Sequence, residues 1–280
     1  MPELPEVQTI VNDLNKRIAR ARILDFFSYF PKAVKMPLSK FRKEVTGGVI
    51  KKVSRRAKHI LMDLDSGKII VVHLKMTGQL LVDDVSADKG EYNFVSGQKY
   101  VRHYWELEKK GKRIKLQFSD VRKFGVIGLI GSVDELNKIG LEPLSDDFTV
   151  DALMEILDKR KRSPMKSLLM DQALIAGIGN IYASEILHES GLDPRALAGS
   201  LPAAKVKELH CAIRCILAKA IEFRGTTFSD YRDSKGEKGG FQDELKVYGR
   251  KGEKCRNCDN TIERTVIGQR STFWCPGCQG

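Results

Sequence analysis

The sequence contains no long hydrophobic run: none of its apolar stretches approaches the roughly 18 residues that a membrane-spanning helix requires. Its first residues, MPELPEV, have neither the basic start nor the apolar segment of a secretory signal peptide. It also shows no internal repeat. We therefore expect no membrane partner, and we expect the protein to work in the reducing cytoplasm or in the nucleoid within it.

Acidic residues are the minority among the charged ones, since 36 Asp and Glu stand against 48 Lys and Arg and leave a net charge of +12. Such an excess attracts polyanions, of which nucleic acid is the commonest. Residues 51–58 contain five basic residues and no acid, and residues 102–123 contain eight basic residues and three acids. A solvated charged face would explain either cluster alone. Both clusters, together with the basic hairpin described next, favour a phosphate-binding groove.

Cysteine occupies only six positions, and four of these form two C-x2-C pairs near the end of the chain. Sixteen residues separate the pairs, so two knuckles can present four thiolates to one tetrahedral Zn²⁺. Residues 261–266 and 271–274 have strand character, and the turn between them carries Arg270. We predict a zinc-stapled β-hairpin, held by Cys255, Cys258, Cys275 and Cys278. Disulfides are the alternative, but they fit poorly with a chain that shows no secretory signal.

The rest of the chain changes from a strand-rich to a helix-rich pattern. Pro5 opens an amphipathic helix, and strand patterns follow over residues 22–130, the clearest at 60–65, 68–74, 79–82, 100–107, 113–118 and 125–130. Residues 83–98 are polar and predict a long loop. From residue 151 the pattern is helical, at 151–157, 164–171, 181–190 and again after Pro202. Residues 224–250 predict a mobile loop.

This order of elements predicts an α+β fold. It would consist of an N-terminal β-sandwich domain that begins with a helix, a C-terminal helical domain, and the zinc-finger β-hairpin. We place these domains at residues 1–147, 148–247 and 248–280. Asn180 is expected to be the N-cap of a helix, and Cys211 and Cys215, four residues apart in an apolar helical pattern, are expected in the core.

Pro2 carries the most specific chemistry in the sequence. Removal of Met1 would leave a secondary amine, which can attack a sugar C1′ to form an iminium ion that cannot lose its charge by dropping an N–H proton. Such a cation withdraws electrons and acidifies the neighbouring carbon, so that elimination follows. Glu3 and Glu6 lie close enough in sequence to donate and accept the protons required. An ordinary helix start, with proline and acids in its first turn, would use the same residues.

Three segments resemble one family. They are MPELPEV at residues 1–7, GIGNIYASE at 177–185 and GQRSTFWC at 268–275. In this order they resemble the bacterial formamidopyrimidine-DNA glycosylases, whose helix–two-turn–helix signature corresponds to the middle segment. The similarity extends over essentially the whole chain, except that residues 83–98 exceed the usual family length. The resemblance implies a helix–two-turn–helix motif in the helical domain and one structural Zn²⁺.

The same resemblance implies a bifunctional enzyme that excises oxidised purines such as 8-oxoguanine and formamidopyrimidines, and then cuts the strand by β,δ-elimination. Pro2 would be the nucleophile, Glu3 the general acid or base, and Glu6 a supporting residue. Lys58 and Arg270 would grip phosphates at the lesion and assist catalysis. The expected partner is double-stranded DNA with oxidised bases or abasic sites, and the expected state is a monomer.

Further positions of this sequence match DNA contacts of the family. Met76 would fill the space left by the flipped nucleotide, Phe124 would wedge the base stack, and Arg122 would pair with the orphaned base. Backbone contacts are implied for His73, Lys166 and Asn180. Taken alone, Met76 would more often be a core residue and Asn180 a plain helix cap.

Two alternatives stay open on the sequence. An endonuclease VIII-like relative would use the same amine on oxidised pyrimidines, and a zinc-ribbon DNA-binding protein would lack catalysis. Pro2 with Glu3 favours an enzyme over the zinc-ribbon protein. Residues 224–238 match a family loop that closes over an extruded purine, which favours the oxidised-purine enzyme.

Overall fold

The computed structural model describes residues 1–84 and 100–280, and the side chains among them except that of residue 84. These residues form two compact units, one of Met1–Asn137 with Arg224–Gly240 and one of Lys138–Phe223 with Phe241–Gly280. Most of the predicted loop at 83–98 lies outside the described residues, and positions 83 and 84 belong to a strand. The segment from Arg224 to Gly240, expected in the helical domain, packs with the N-terminal unit.

The N-terminal unit begins with helix α1, Leu4–Ile18. Pro5 lies in its first turn, where a missing backbone N–H costs nothing. The predicted apolar stripe is confirmed, because all of its side chains are buried: Val7, Ile10, Val11, Leu14 and Ile18. Helix α1 therefore presents one face to the core, and the predicted nucleophile Pro2 lies directly before Glu3, the N-cap of this helix.

Among the described residues of this unit, eight strands form two antiparallel sheets that share one core with α1. The first sheet has the order β1-β6-β7-β5, with β1 Arg22–Ser28, β5 Gly78–Asp84, β6 Val101–Lys109 and β7 Lys112–Asp120. The second has the order β2-β3-β4-β8, with β2 Ile50–Arg56, β3 His59–Leu64, β4 Ile69–His73 and β8 Val126–Ile130. A short helix, α2 Leu38–Val45, follows β1. The predicted α+β class and its two-sheet N-terminal domain are confirmed.

The segment 224–240 contains neither helix nor strand but is tied to the N-terminal unit by ion pairs. The Arg224 guanidinium bonds the carboxylates of Asp13 on α1, at 2.7 Å, and Asp233, at 2.5 Å. Tyr231 is buried in the shared core, and its hydroxyl donates to the Arg224 carbonyl oxygen at 3.1 Å. This segment is irregular, as predicted, and its mobility stays a prediction.

The second unit contains four α-helices, two short 3-10 helices and a hairpin. The helices are α3 Val150–Lys159, α4 Met165–Met170, α5 Asn180–Glu189 and α6 Ala203–Glu222, and the hairpin strands are β9 Glu263–Ile267 and β10 Arg270–Trp274. Gly268 and Gln269 form the turn, both with positive φ. The predicted hairpin is confirmed, with Arg270 as the first residue of its second strand. No helix in the described residues is long and apolar enough to cross a membrane.

Two local predictions in this unit are wrong. Gly179, not Asn180, is the N-cap of α5, and Asn180 is the first helical residue. Cys211 and Cys215 are exposed on α6 rather than buried in its core face. The helical period was read correctly, but the two cysteines lie outside the stripe that packs, which consists of Val206, Leu209, Ala212, Ile213, Ile216, Leu217 and Ala220.

The shared core predicts the effect of truncating α1. Leu14 is completely buried, so Leu14→Ala should lower the free energy of unfolding of the N-terminal unit by about 2–5 kcal/mol. Urea unfolding can be followed through buried Trp105 in a Trp274→Phe background, since the chain has two tryptophans. Lys16→Ala, at an exposed site on the same helix, should change stability by less than about 0.5 kcal/mol. Equal losses in the two variants would contradict this packing of α1.

Candidate active site and DNA-contact residues

A hydrogen bond between the N-cap residue of α1 and its first turn holds the start of the chain. The backbone N–H of Glu3 donates to Glu6 Oε2 at 2.7 Å. Pro2, Glu3 and Glu6 are buried, whereas Met1 is 51% exposed. The predicted nucleophile and both predicted carboxylates therefore lie together, and the residue that must be removed to free the amine is accessible.

Glu6 holds a second segment with its other oxygen. The backbone N–H of Thr226 donates to Glu6 Oε1 at 2.7 Å, across 220 residues of sequence. Gly225, at φ +80°, packs so closely on Glu6 that an added Cβ would collide with it. Glycine is thus required here both for its left-handed backbone and for space. Nothing in the sequence near Glu6 indicates this bond.

Lys58 lies in the tight turn that joins β2 to β3 and is buried. The preceding residue, Ala57, has φ +52°. The Arg55 guanidinium braces the turn, because it donates to the Ala57 carbonyl oxygen and to Gln8 Oε1 on α1, both at 2.9 Å. The turn that carries Lys58 is therefore attached to the helix that carries Glu3.

His73 ends β4 as a neutral imidazole. Its Nδ1 accepts from the backbone N–H of Lys75 at 3.0 Å, which places the ring proton on Nε2. Burial lowers the pKa of His73 to about 3, and the ring of His59 packs edge-on against it with centroids 4.6 Å apart. His73 can therefore donate one hydrogen bond at neutral pH but carries no charge there.

Met76, Arg122 and Phe124 form an exposed cluster on two loops. Met76 is 43% and Phe124 51% exposed, so the alternative of a core methionine is wrong. The Arg122 guanidinium lies over the Phe124 ring at 4.8 Å, and its Nη1 is 3.0 Å from Met76 Sδ. The three residues predicted to contact the base stack of DNA are thus in contact with one another.

In the second unit, Asn180 connects α5 to the hairpin. Its Nδ2 donates to the Ser271 carbonyl oxygen at 2.9 Å, next to exposed Arg270. Lys166 is completely buried, and its ammonium donates to the Asn180 carbonyl oxygen at 2.9 Å and to Ser184 Oγ at 2.6 Å. Lys166 supports the start of α5 in this structure, and its direct contact with DNA stays a prediction.

The four cysteine thiols of the C-x2-C pairs converge at the base of the hairpin, with all sulfur atoms within 4.8 Å of one another. Neighbouring Sγ atoms are 3.3–3.8 Å apart, close to the ~3.8 Å expected between thiolates around one tetrahedral zinc. Hydrogen bonds from Asn260 lower the pKa of Cys258 to about 6, whereas burial raises the pKa values of Cys275 and Cys278. The donor set fits one structural Zn²⁺.

His188 on α5 is a neighbour of this cluster that sequence reasoning missed. Its Nε2 lies 3.6 Å from Cys255 Sγ, while its Nδ1 is buried without a hydrogen-bond partner in the part of the chain that the structure describes. Burial lowers the pKa of His188 to about 4, so the ring is neutral at pH 7. Its spacing from the cysteines is too long for a sequence motif to reveal.

Comparison with known families identifies all three parts of the chain. Residues 1–127 match the formamidopyrimidine-DNA glycosylase N-terminal domain, residues 139–232 match the formamidopyrimidine-DNA glycosylase H2TH domain, and residues 252–280 match a zinc finger found in FPG and IleRS. The chain belongs to the formamidopyrimidine-DNA glycosylase family. The resemblance in the three sequence segments is confirmed, as are the helix–two-turn–helix domain and the zinc finger.

Named relatives and solved structures agree with this membership. Formamidopyrimidine-DNA glycosylases of Carboxydothermus hydrogenoformans and Chloroflexus aggregans are each 41% identical, over all of this chain and 100% and 98% of theirs. The Lactococcus lactis Fpg bound to abasic-site DNA has a TM-score of 0.87 at 32% identity, with 99% of each chain covered. A variant of that protein, bound to DNA containing Fapy-dG, is equally similar.

The zinc finger gives a prediction with a matched control. Cys275→Ser should lose the bound zinc and the order of the hairpin, because the four thiolates need their metal to hold this fold. Arg270 would then lose its position, and affinity for duplex DNA should fall. Cys211→Ser removes an exposed thiol outside the cluster and should keep one zinc and full affinity. Metal analysis and a DNA-binding titration check both, and full affinity after verified loss of zinc would refute the role given to the hairpin.

Proposed function

We propose that this member of the family is a bifunctional DNA glycosylase and abasic-site lyase of base excision repair, with oxidised purines as its substrates. The observation that carries the proposal is the buried Pro2, Glu3 and Glu6 group at the start of α1. Family membership makes the chain a DNA glycosylase, and the comparison proteins are formamidopyrimidine-DNA glycosylases. We further propose that it acts as a monomer in the bacterial cytoplasm.

The chemistry begins when Met1 is removed and the Pro2 nitrogen becomes a free secondary amine. This nitrogen attacks C1′ of the damaged nucleotide, the bond from C1′ to the base breaks, and the base leaves with a proton. Opening of the sugar ring gives an iminium ion between Pro2 and C1′. Glu3, which follows Pro2 and is buried, passes protons to and from the sugar during these steps.

Strand cleavage follows from the positive charge of the iminium ion. A proton-accepting group then removes a proton from C2′ of the sugar. The electron pair left on C2′ expels the 3′ phosphate. A second elimination expels the 5′ phosphate, and hydrolysis of the remaining conjugate returns the amine. The two bonds to phosphate break without oxidation or reduction, so the mechanism needs only proton transfers.

The remaining predicted residues position the duplex. Extrusion of a nucleotide leaves a gap, and Met76, Arg122 and Phe124 already form an exposed cluster of a suitable shape and chemistry to fill it. Lys58 and Arg270 supply positive charge for phosphates. Asn180 is the first residue of α5, and the N-terminus of a helix favours an anion. The zinc supplies the fold of the hairpin that carries Arg270.

The substrate class is tested by excision from matched duplexes. The protein should cleave DNA that contains 8-oxoguanine opposite cytosine or a formamidopyrimidine faster than DNA that contains thymine glycol. Single-turnover rates on gels measure this directly. Dominant cleavage at thymine glycol would instead assign the endonuclease VIII-like activity, and binding without any cleavage would leave only a DNA-binding protein.

A substitution of Glu3 should reduce base excision more than it reduces cleavage at an abasic site. Glu3→Gln keeps the size of the side chain but removes its proton transfer, so base excision should fall by about 10²–10⁴-fold. Cleavage of a preformed abasic site should fall less, because no base has to leave. Burst kinetics on the two substrates measure the difference. An equal loss on both would argue against a role for Glu3 in departure of the base.

A further inference from the structure

The exposed cluster of Met76, Arg122 and Phe124 lies on two loops, and both loops contact the end of strand β7. One loop joins β4 to β5 and the other joins β7 to β8. Each contains a lysine in the left-handed region, Lys75 at φ +54° and Lys123 at φ +59°. Loops with such residues need a partner that holds their shape, since the backbone alone does not favour it.

Asp120, the last residue of β7, supplies hydrogen bonds to both loops. Its Oδ1 accepts from Thr77 Oγ1 at 2.5 Å and from the backbone N–H of Arg122 at 3.2 Å. Its Oδ2 accepts from the backbone N–H of Gly125 at 2.7 Å. The same backbone N–H of Arg122 also donates to Thr77 Oγ1 at 3.1 Å. Asp120 is 2% exposed, so its carboxylate bonds these groups in a site closed to bulk water.

Phe118, two residues earlier on the same strand, packs against the end of both loops. A Cβ on Gly78 or on Gly125 would collide with the Phe118 ring. Glycine is therefore required where each loop meets the next strand, at Gly125 because of this ring and at Gly78 because of both the ring and the Leu74 backbone. The ring fills the space beneath the loops and Asp120 holds their polar groups, so neither loop can shift without disturbing the other.

We propose that Asp120 is the positioning residue of the DNA-inserting cluster. It holds Met76 on one loop and Arg122 with Phe124 on the other as a single preformed unit. This inference rests on the proposed function, in which the cluster fills the gap left by the extruded nucleotide. Asp120 does not touch the reacting atoms, and it acts by keeping the cluster in place when the base pair opens.

The test uses Asp120→Asn, which keeps the shape but has one acceptor oxygen in place of two. Excision of 8-oxoguanine from duplex DNA should fall by about tenfold or more, since a bond between a charged acceptor and a buried N–H is lost. Cleavage of an abasic site in single-stranded DNA needs no extrusion and should stay near the wild-type rate. That unchanged rate also shows that the variant is folded. An excision rate equal to the wild type would overturn the proposal.

Two further variants sharpen the result. Thr77→Val removes one hydroxyl from the same network and should reduce duplex excision in the same direction, by a smaller factor. Asp65→Asn alters a carboxylate that accepts a backbone N–H, that of Val49 at 2.9 Å, away from both loops, and should have no effect. Equal losses in Asp120→Asn and Asp65→Asn would mean that general stability, not positioning, is measured.

Phe124→Ala distinguishes failure of this inference from failure of the proposed function. If Phe124→Ala excises 8-oxoguanine at the wild-type rate, the gap-filling role is wrong. The positioning role of Asp120 is then wrong as well. If Phe124→Ala is impaired and Asp120→Asn is not, only the positioning role is wrong. Amide hydrogen exchange in the free protein gives a readout without DNA: exchange at Arg122 and Gly125 should accelerate in Asp120→Asn, and unchanged exchange would contradict the proposal.

Discussion

The hydrogen bond from the Glu3 backbone to the Glu6 carboxylate is the constraint on which the catalytic account depends. A chain terminus is normally one of the least ordered parts of a protein. Here the buried stripe of α1 fixes the helix in the core, and Glu6 then fixes the residues that precede it. This packing gives the proposed nucleophile at position 2 a fixed place, which an attack on a bound sugar would require.

Buried carboxylates that accept backbone N–H groups also hold other segments of the chain. Glu6, Asp120 and Glu185 are buried carboxylates that accept backbone N–H groups from segments without regular structure. Glu185 on α5 accepts three such bonds, at 2.8–3.0 Å, from the stretch that leads into the zinc finger at residues 246–248. Burial raises the pKa of Glu185, and these bonds oppose the rise. Each carboxylate satisfies backbone donors that would otherwise be unpaired, and so holds a segment in one conformation.

Local pattern was enough to predict the elements that obey a simple period. The stripe of α1, six strands of the N-terminal unit and the four zinc ligands follow from spacing alone. Strands β1 and β2 were harder to delimit because each contains a register shift, near Ile23 and Ile50, that breaks the alternation of inward and outward residues. Part of the basic cluster at 51–58 is a charged strand face, since Lys52 lies on β2 and pairs with Asp63 at 3.4 Å.

Contacts between residues far apart in the chain could not be predicted from the sequence. The bond from Thr226 to Glu6, the contact of His188 with Cys255, and the two loops over Phe118 join residues far apart in the chain. No local period marks such pairs. Lys166 was predicted from the family resemblance to contact DNA, and the sequence did not indicate that it is buried and donates to the Asn180 carbonyl oxygen.

The most direct measurement is to stop the reaction on lesion-containing duplex with borohydride, digest the covalent complex, and locate the deoxyribose by mass spectrometry. We expect attachment to the nitrogen of Pro2 in chains that have lost Met1. Attachment to a lysine, or turnover without any reducible intermediate, would contradict it.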